Sequence, residues 1–200
     1  MDEPPAHLVV VISGPSGVGK DTLVDRLLAE HPELTRPVTM TTRAPRDGEE
    51  DGRDYVFVTR DDFERRVRAG ELLEHAAIYG NLYGLPREQL RRALEVGDVV
   101  VRVDVQGVAS LRELLPNAVY IMLAPDSFAH LERRLRERGE AHDEADLQRR
   151  IDAAAHELEQ RGLFDHVVVN ADGDLDATIE RVLAILGEER SRADCRAVPA

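Results

Sequence analysis

The sequence predicts an α/β chain: a parallel sheet with helices on both faces, interrupted by an inserted small mixed α/β lobe and carrying a short lid. Three observations predict it. An apolar run, Val9-Val10-Val11-Ile12, enters a glycine-rich turn that opens at Lys20 into a helical pattern. From Pro86 onward strand-like and helix-like segments alternate, and such alternation needs crossover connections and hence a parallel sheet covered on both sides. Between Arg36 and Gly84 that alternation breaks into a stretch rich in Gly, Pro, Thr and charge.

In order along the chain, Leu8–Ile12 reads as a buried parallel strand, and Asp21–Glu30 as its crossover helix with Leu23, Val24, Leu27 and Leu28 on one face. His31-Pro32 ends that helix. Inside the interruption, Asp54–Val58 is strand-like, and Asp61–Ala69 is a short helix entered from Thr59 and closed by Gly70. Pro86–Val96 then reads as a helix with Pro in its first turn and Gly97 past its end. The alternation continues with strand Asp98–Val105, helix Gly107–Leu115 and strand Ala118–Leu123. Ser127–Arg138 is an amphipathic helix with Phe128, Leu131 and Leu135 inward. The small, acidic Gly139–Asp146 suits a lid, Glu144–Gln160 is a helix, His166–Asn170 a last strand and Leu175–Leu186 a final helix. The expected organisation over residues 1–200 is one domain: core 6–35 and 86–187, lobe 36–85, lid 139–150 and a polar, frayed tail 188–200.

Composition narrows the function. With 42% hydrophobic and 32% charged residues the chain is of ordinary globular type, and a net charge of −13 argues against nucleic acid or an anionic membrane as partner. One cysteine, Cys195, excludes a disulfide framework, and no apolar run approaches spanning length, so the expected location is cytoplasmic. An anionic substrate must be held by a local arginine cluster.

The turn supplies a phosphate cradle. Gly14, Gly19 and Lys20 stand at G-x-x-x-x-G-K spacing, after a strand and before a helix, the context that spacing requires. The residues expected around a nucleotide phosphate are Gly14, Pro15, Ser16, Gly17, Val18, Gly19, Lys20, Asp21 and Thr22. The 26 basic residues are 25 arginines and one lysine, and that lysine is Lys20. A chain that uses Arg everywhere else keeps here an ammonium, a compact point charge for outer phosphates. A second segment, Thr41-Thr42-Arg43-Ala44-Pro45-Arg46-Asp47-Gly48-Glu49 followed by Gly52-Arg53-Asp54-Tyr55, reads either as a two-arginine phosphate clamp with a phenolic donor or as a solvated loop with incidental ion pairs.

Together these segments resemble the guanylate kinase family. The P-loop, the Thr-Thr-Arg-Ala-Pro-Arg segment, Gly52–Val58, Gly80-Asn81-Leu82-Tyr83-Gly84, Asp104-Val105-Gln106-Gly107 and Val167–Asn170 fall in that family's order, and the likeness runs from Leu8 to Leu186. It implies transfer of the γ-phosphoryl group of ATP to GMP, with Mg²⁺, and with dGMP as a further acceptor. By the same resemblance Arg43, Arg46, Tyr55 and Tyr83 hold the GMP phosphate, and Glu74 reads the guanine N1–H and amine, while Thr39 and Asp104 face the nucleotide. Asn170 lies at the adenine side, and Arg134, Arg138 and Arg150 close over the transferring group beside Lys20 and Arg43. Partners are then ATP and GMP alone, for a monomer or homodimer.

Three positions depart from the family pattern. Asp21 replaces the P-loop hydroxyl, Leu85 the small hydroxyl residue after Tyr83-Gly84, and Arg102 an acidic residue two before Asp104. The exchange suggests a displaced carboxylate: Asp21 helps hold Mg²⁺ and Arg102 pairs with Asp21 or with phosphate. The lost hydroxyl at Leu85 is expected to remove one base or sugar contact. Competing readings are a P-loop kinase for another acceptor, such as ribose 1,5-bisphosphate, and a non-catalytic binding module of the same fold.

Overall fold

The computed structural model describes residues 7–78, 80–137, 143–171 and 173–192. Arg138, Cys195 and most of the loop half of the expected lid, 139–142, lie outside them.

Five parallel strands form the main sheet: β1 (Val9–Ser13), β2 (Leu34–Thr35), β7 (Asp98–Arg102), β8 (Val119–Pro125) and β9 (His166–Asn170), in the order β2-β7-β1-β8-β9. Strand β1 is central, pairing Val10 with Val100 on one side and Val119 on the other. Seven helices accompany it among the described residues: α1 (Lys20–Glu30), α2 (Arg60–Arg68), α3 (Arg87–Leu94), α4 (Val105–Leu114), α5 (Phe128–Glu137), α6 (Glu144–Glu159) and α7 (Leu175–Ser191).

A strand buried on both faces sends alternate side chains into two cores. Val10 and Ile12 join Leu23 and Leu27 of α1, Leu131 and Leu135 of α5, Ile151 of α6 and Val182 of α7. Val9 and Val11 face the other way, against Leu90 of α3, Val108 and Leu111 of α4, and Tyr120. The lobe has its own sheet, β3 (Met40–Thr41), β4 (Val56–Phe57), β5 (Leu72–Ile78) and β6 (Asn81–Pro86), ordered β4-β3-β6-β5. Met40, Phe63 of α2 and Leu72 make a small third core. Helix α2 starts where expected: the Thr59 side chain accepts from the Asp62 N–H.

Three expectations need correction, and one strand pair was not expected at all. The β5–β6 hairpin was absent from the sequence reading, because its alternation is masked by half-buried polar residues. Strand β7 ends at Arg102 and α4 begins at Val105, two residues earlier than expected, with Asp104 in extended backbone as its N-cap. Phe128 stays 39% exposed rather than inward. Finally, α7 passes Leu186 to Ser191, so 188–191 is not frayed: Glu189 is buried and holds His166 and Arg192, each at 3.1 Å, while Arg190 Nε donates to Asp98 at 2.7 Å.

Candidate active site

The turn after β1 is shaped by backbone geometry. Gly14 has φ 146°, and a Cβ there would collide with the Leu123 carbonyl, so the chain passes β8 at a distance only glycine permits. The loop is tied from three sides. Asn170, buried at the end of β9, donates through Nδ2 to the Val18 carbonyl at 2.7 Å and accepts from Thr178 Oγ1 at 2.9 Å. Arg134 of α5 donates to the same carbonyl at 3.3 Å. Glu157 of α6 reaches the Ser16 N–H, and burial pushes its carboxyl up. Val18 itself is in the core and reaches the loop only through its backbone.

Lys20 opens α1 with its ammonium inside the turn. Nζ donates to the carbonyls of Gly14 and Pro15, the latter at 3.2 Å, and lies 3.5 Å from Asp104 Oδ1. The positive end of α1 points the same way. Pro15, Ser16, Gly17, Gly19, Asp21 and Thr22 continue the wall of a cleft of about 410 Å³.

The facing wall comes from the lobe and carries Thr39, Arg43, Arg46, Tyr55, Glu74 and Tyr83. Thus the segment that allowed two readings lines the cleft. The Thr41 and Thr42 hydroxyls do not: Thr41 Oγ1 donates to the Leu82 carbonyl at 3.0 Å and Thr42 Oγ1 accepts from Leu82 N–H at 2.9 Å, fastening β3 to β6. Arg43 stacks 5.4 Å above the Tyr55 ring, and the Tyr55 and Tyr83 rings meet edge-on at 6.1 Å. Arg46 stands exposed at the rim.

Glu49, the last residue of the Thr41–Glu49 segment, has no role assigned to it from sequence. Its carboxylate accepts from Arg43 Nη2 at 2.7 and 3.0 Å and from the Arg46 N–H at 2.8 Å, which holds it below the usual carboxylate range. No spacing rule singles out a carboxylate six residues after an arginine in a loop. Arg36 was missed by the sequence reading; it bridges Asp25 of α1 at 3.3 Å and Asp54 of the lobe at 3.8 Å.

Glu74 lies at the inner end of the cleft. It has no hydrogen-bond partner among the described residues, and its carboxyl is pushed up to about 7, by burial first and then by the nearby Asp104 charge. Helix α4 makes room for it: a Cβ on Gly107 would stand 2.7 Å from Glu74 Oε2. Leu85, which pairs across the hairpin with Glu74, is fully buried in the core with Val9 and Leu90. It is not among the residues lining the cleft.

Arg102 and Asp21 pair directly, and Arg102 Nη2 also donates to Tyr55 Oη at 2.7 Å. On the far side of the P-loop, Gly17, Gly19, Thr22, Arg134 and Asn170 line a second cavity of about 490 Å³. Arg150 is buried on α6, its Nε 3.4 Å from Asp146, and borders neither cavity.

The two cavities flank one loop, so the arrangement suits a donor phosphate chain on the loop and a phosphorylated acceptor across from it. Comparisons with known proteins agree. The family model described as guanylate kinase matches residues 7–189. A guanylate kinase of Synechococcus sp. (strain JA-3-3Ab) is 45% identical over 179 residues, 89% of this chain and 81% of that one. A guanylate kinase of Ruegeria pomeroyi is 44% identical over 188 residues, covering 92% and 87%. The crystal structure of guanylate kinase from Anaplasma phagocytophilum superposes with TM-score 0.76 at 32% identity, covering 96% of this chain and 90% of the other.

Proposed function

This chain belongs to the guanylate kinase family and transfers the γ-phosphoryl group of ATP to GMP, and from that premise we propose which of its residues do so. The observation that carries the reading is the single cleft in which Lys20, the Arg43–Tyr55–Tyr83 cluster and the buried Glu74 face one another.

Phosphoryl transfer needs alignment and charge neutralisation more than covalent chemistry. Lys20 and the loop N–H groups hold the outer phosphates of ATP, with the adenine side toward Asn170 and Arg134. Arg43, Arg46, Tyr55 and Tyr83 hold the phosphate of GMP, Glu49 anchoring the Arg43 side chain beside the others. Ionised Glu74 accepts from the guanine N1–H and amine, and would face a lone pair at the N1 of adenine. A GMP phosphate oxygen then attacks the γ-phosphorus in line with the departing β–γ bridging oxygen. Arg134 is tied to the loop through the Val18 carbonyl and acts on the transferring group from there; Arg138 and Arg150 enter by resemblance alone. Inward movement of the lobe and the lid excludes water, which would otherwise compete as acceptor.

Mg²⁺ binds through few protein oxygens, keeping water and phosphate ligands. Among the described residues no group of three or more His, Cys, Asp or Glu is placed to hold a metal, whereas Asp21 and Thr22 line the cleft beside Lys20. That sparse donor set fits such a cation, which Asp21 would hold directly or through water. Bound there with ATP, it supplies charge neutralisation at the phosphates. Asp21→Ala should raise the Mg²⁺ concentration for half-maximal turnover several-fold; an unchanged Mg²⁺ dependence removes Asp21 from this role.

We also read the chain as acting on free nucleotides in the cytoplasm, on dGMP as well as GMP, as a monomer or homodimer. No described helix is long and apolar enough to cross a membrane. The test is ADP release from Mg-ATP with GMP, dGMP, AMP, UMP and ribose 1,5-bisphosphate offered in turn. GMP and dGMP should far exceed the rest, and Glu74→Gln should erase most of the margin over AMP. Equal turnover with AMP refutes the role of Glu74.

A further inference from the structure

Arg102 ends β7 at the bottom of the cleft, its side chain 28% exposed. One arm of its guanidinium, Nη1, pairs with Asp21, next to Lys20 at the start of α1. The other, Nη2, donates to Tyr55 Oη at 2.7 Å, across in the lobe. A guanidinium carries donors only and keeps its proton throughout the working pH range. The phenol oxygen must therefore be the acceptor, and its single proton is left to be given elsewhere. The Tyr55 ring lies beneath Arg43, whose guanidinium is 5.4 Å from the ring centre, and both border the cleft.

We propose that Arg102 is a positioning residue for the acceptor phosphate: by donating to Tyr55 Oη while its other arm holds Asp21, it makes the phenol a donor toward that phosphate and sets its distance from the P-loop. The inference rests on the reading of Tyr55 as a GMP-phosphate residue and goes beyond it. It also explains why an arginine serves here. A lysine ammonium is a point charge on a flexible stem and cannot present two fixed, coplanar donors to partners on opposite walls.

The experiment is steady-state kinetics on Arg102→Met, Arg102→Lys, Tyr55→Phe and the double variant Arg102→Met/Tyr55→Phe, with each KM measured separately. Tyr55→Phe and Arg102→Met are each expected to raise KM for GMP about tenfold, the scale of one charge-assisted hydrogen bond, with KM for ATP changed less than about twofold by Tyr55→Phe and, because Arg102 also holds Asp21, by a smaller factor than KM for GMP in Arg102→Met. The double variant should be no worse for GMP than Tyr55→Phe alone, since a phenyl ring leaves Arg102 nothing to orient. Arg102→Lys should behave like Arg102→Met. KM does not depend on how much of a preparation is folded, so partial unfolding leaves the comparison intact.

Two results overturn the proposal alone: Arg102→Met adding its full factor in the Tyr55→Phe background, or Arg102→Lys restoring the wild-type KM, which would make the residue a source of charge only. If Tyr55→Phe leaves KM for GMP unchanged, the reading of Tyr55 fails, and the proposal with it.

Discussion

Glu74 sets the most direct consequence at the scale of a single residue. A carboxyl with a pKa of about 7 is largely protonated in mildly acid solution, and a protonated carboxyl accepts poorly from two guanine donors. For GMP, kcat/KM should therefore rise about tenfold per pH unit below 7 and level off above it. Glu74→Gln should flatten that limb while lowering its plateau. Stability runs the opposite way: between the usual carboxyl pKa and about 7 the folded protein binds a proton that the unfolded chain has released, so Glu74 costs stability as pH rises through that window. A pH series of urea midpoints on wild type and Glu74→Gln checks the sign; a Glu74 contribution growing with pH contradicts it. This residue was legible only through a resemblance. Nothing in its local sequence distinguishes it from a surface charge, because its burial is made by Gly107 of α4, distant in the chain. Lys20, by contrast, was legible from spacing and composition alone, since its carbonyl partners Gly14 and Pro15 and its helix are local.

At the scale of elements, the P-loop is held by parts of the chain far apart in sequence. Asn170 joins it to β9 and α7 at once, with its amide between the Val18 carbonyl and the Thr178 hydroxyl. Asn170→Ala removes both bonds but leaves the Val18 carbonyl its bond from Arg134 and the Thr178 hydroxyl its bond to the Asp174 carbonyl, and should lower unfolding free energy by about 1 kcal/mol. Because the loop then loses its registry to β9, KM for ATP should rise several-fold and KM for GMP little. Urea unfolding and separate KM measurements test this; an unaltered KM for ATP would reduce Asn170 to a packing residue. Long elements with strong periodicity, β1, α1 and α5 to α7, were readable in the sequence because one face of each is continuously apolar. The lobe was not. Strand β3 has two residues, and the β5–β6 hairpin is buried where Leu72 and Leu73 meet Gly84–Pro86 but half-exposed toward its turn, so no alternation runs its length. The end of α7 was hidden for a related reason: Glu189 and Arg190 look like a polar tail until their partners on β9 and β7 are known.

For the whole molecule, the distribution of cores argues for unequal stability. Two large clusters lie on either side of β1, whereas the lobe depends on Met40, Phe63 and Leu72 with half-buried neighbours. Yet the lobe is not detached, since Leu73 and Leu85 of its hairpin belong to the core cluster behind α4. A unit with little buried apolar surface opens at lower free energy than the body it adjoins. Hydrogen exchange should then grade across the lobe: fastest for α2, β3 and β4, slower for β5 and β6, slowest for β1, β7 and β8. GMP should slow the lobe selectively by bridging Arg43, Tyr55 and Glu74, while ATP should act mainly on the P-loop. If the lobe and core amides exchange through one common opening, or GMP protects both alike, the lobe is no separate unit. Graded exchange would instead mean that the elements gripping the acceptor are the ones the fold holds most loosely, a requirement for any pocket that must close on its substrate and then release it.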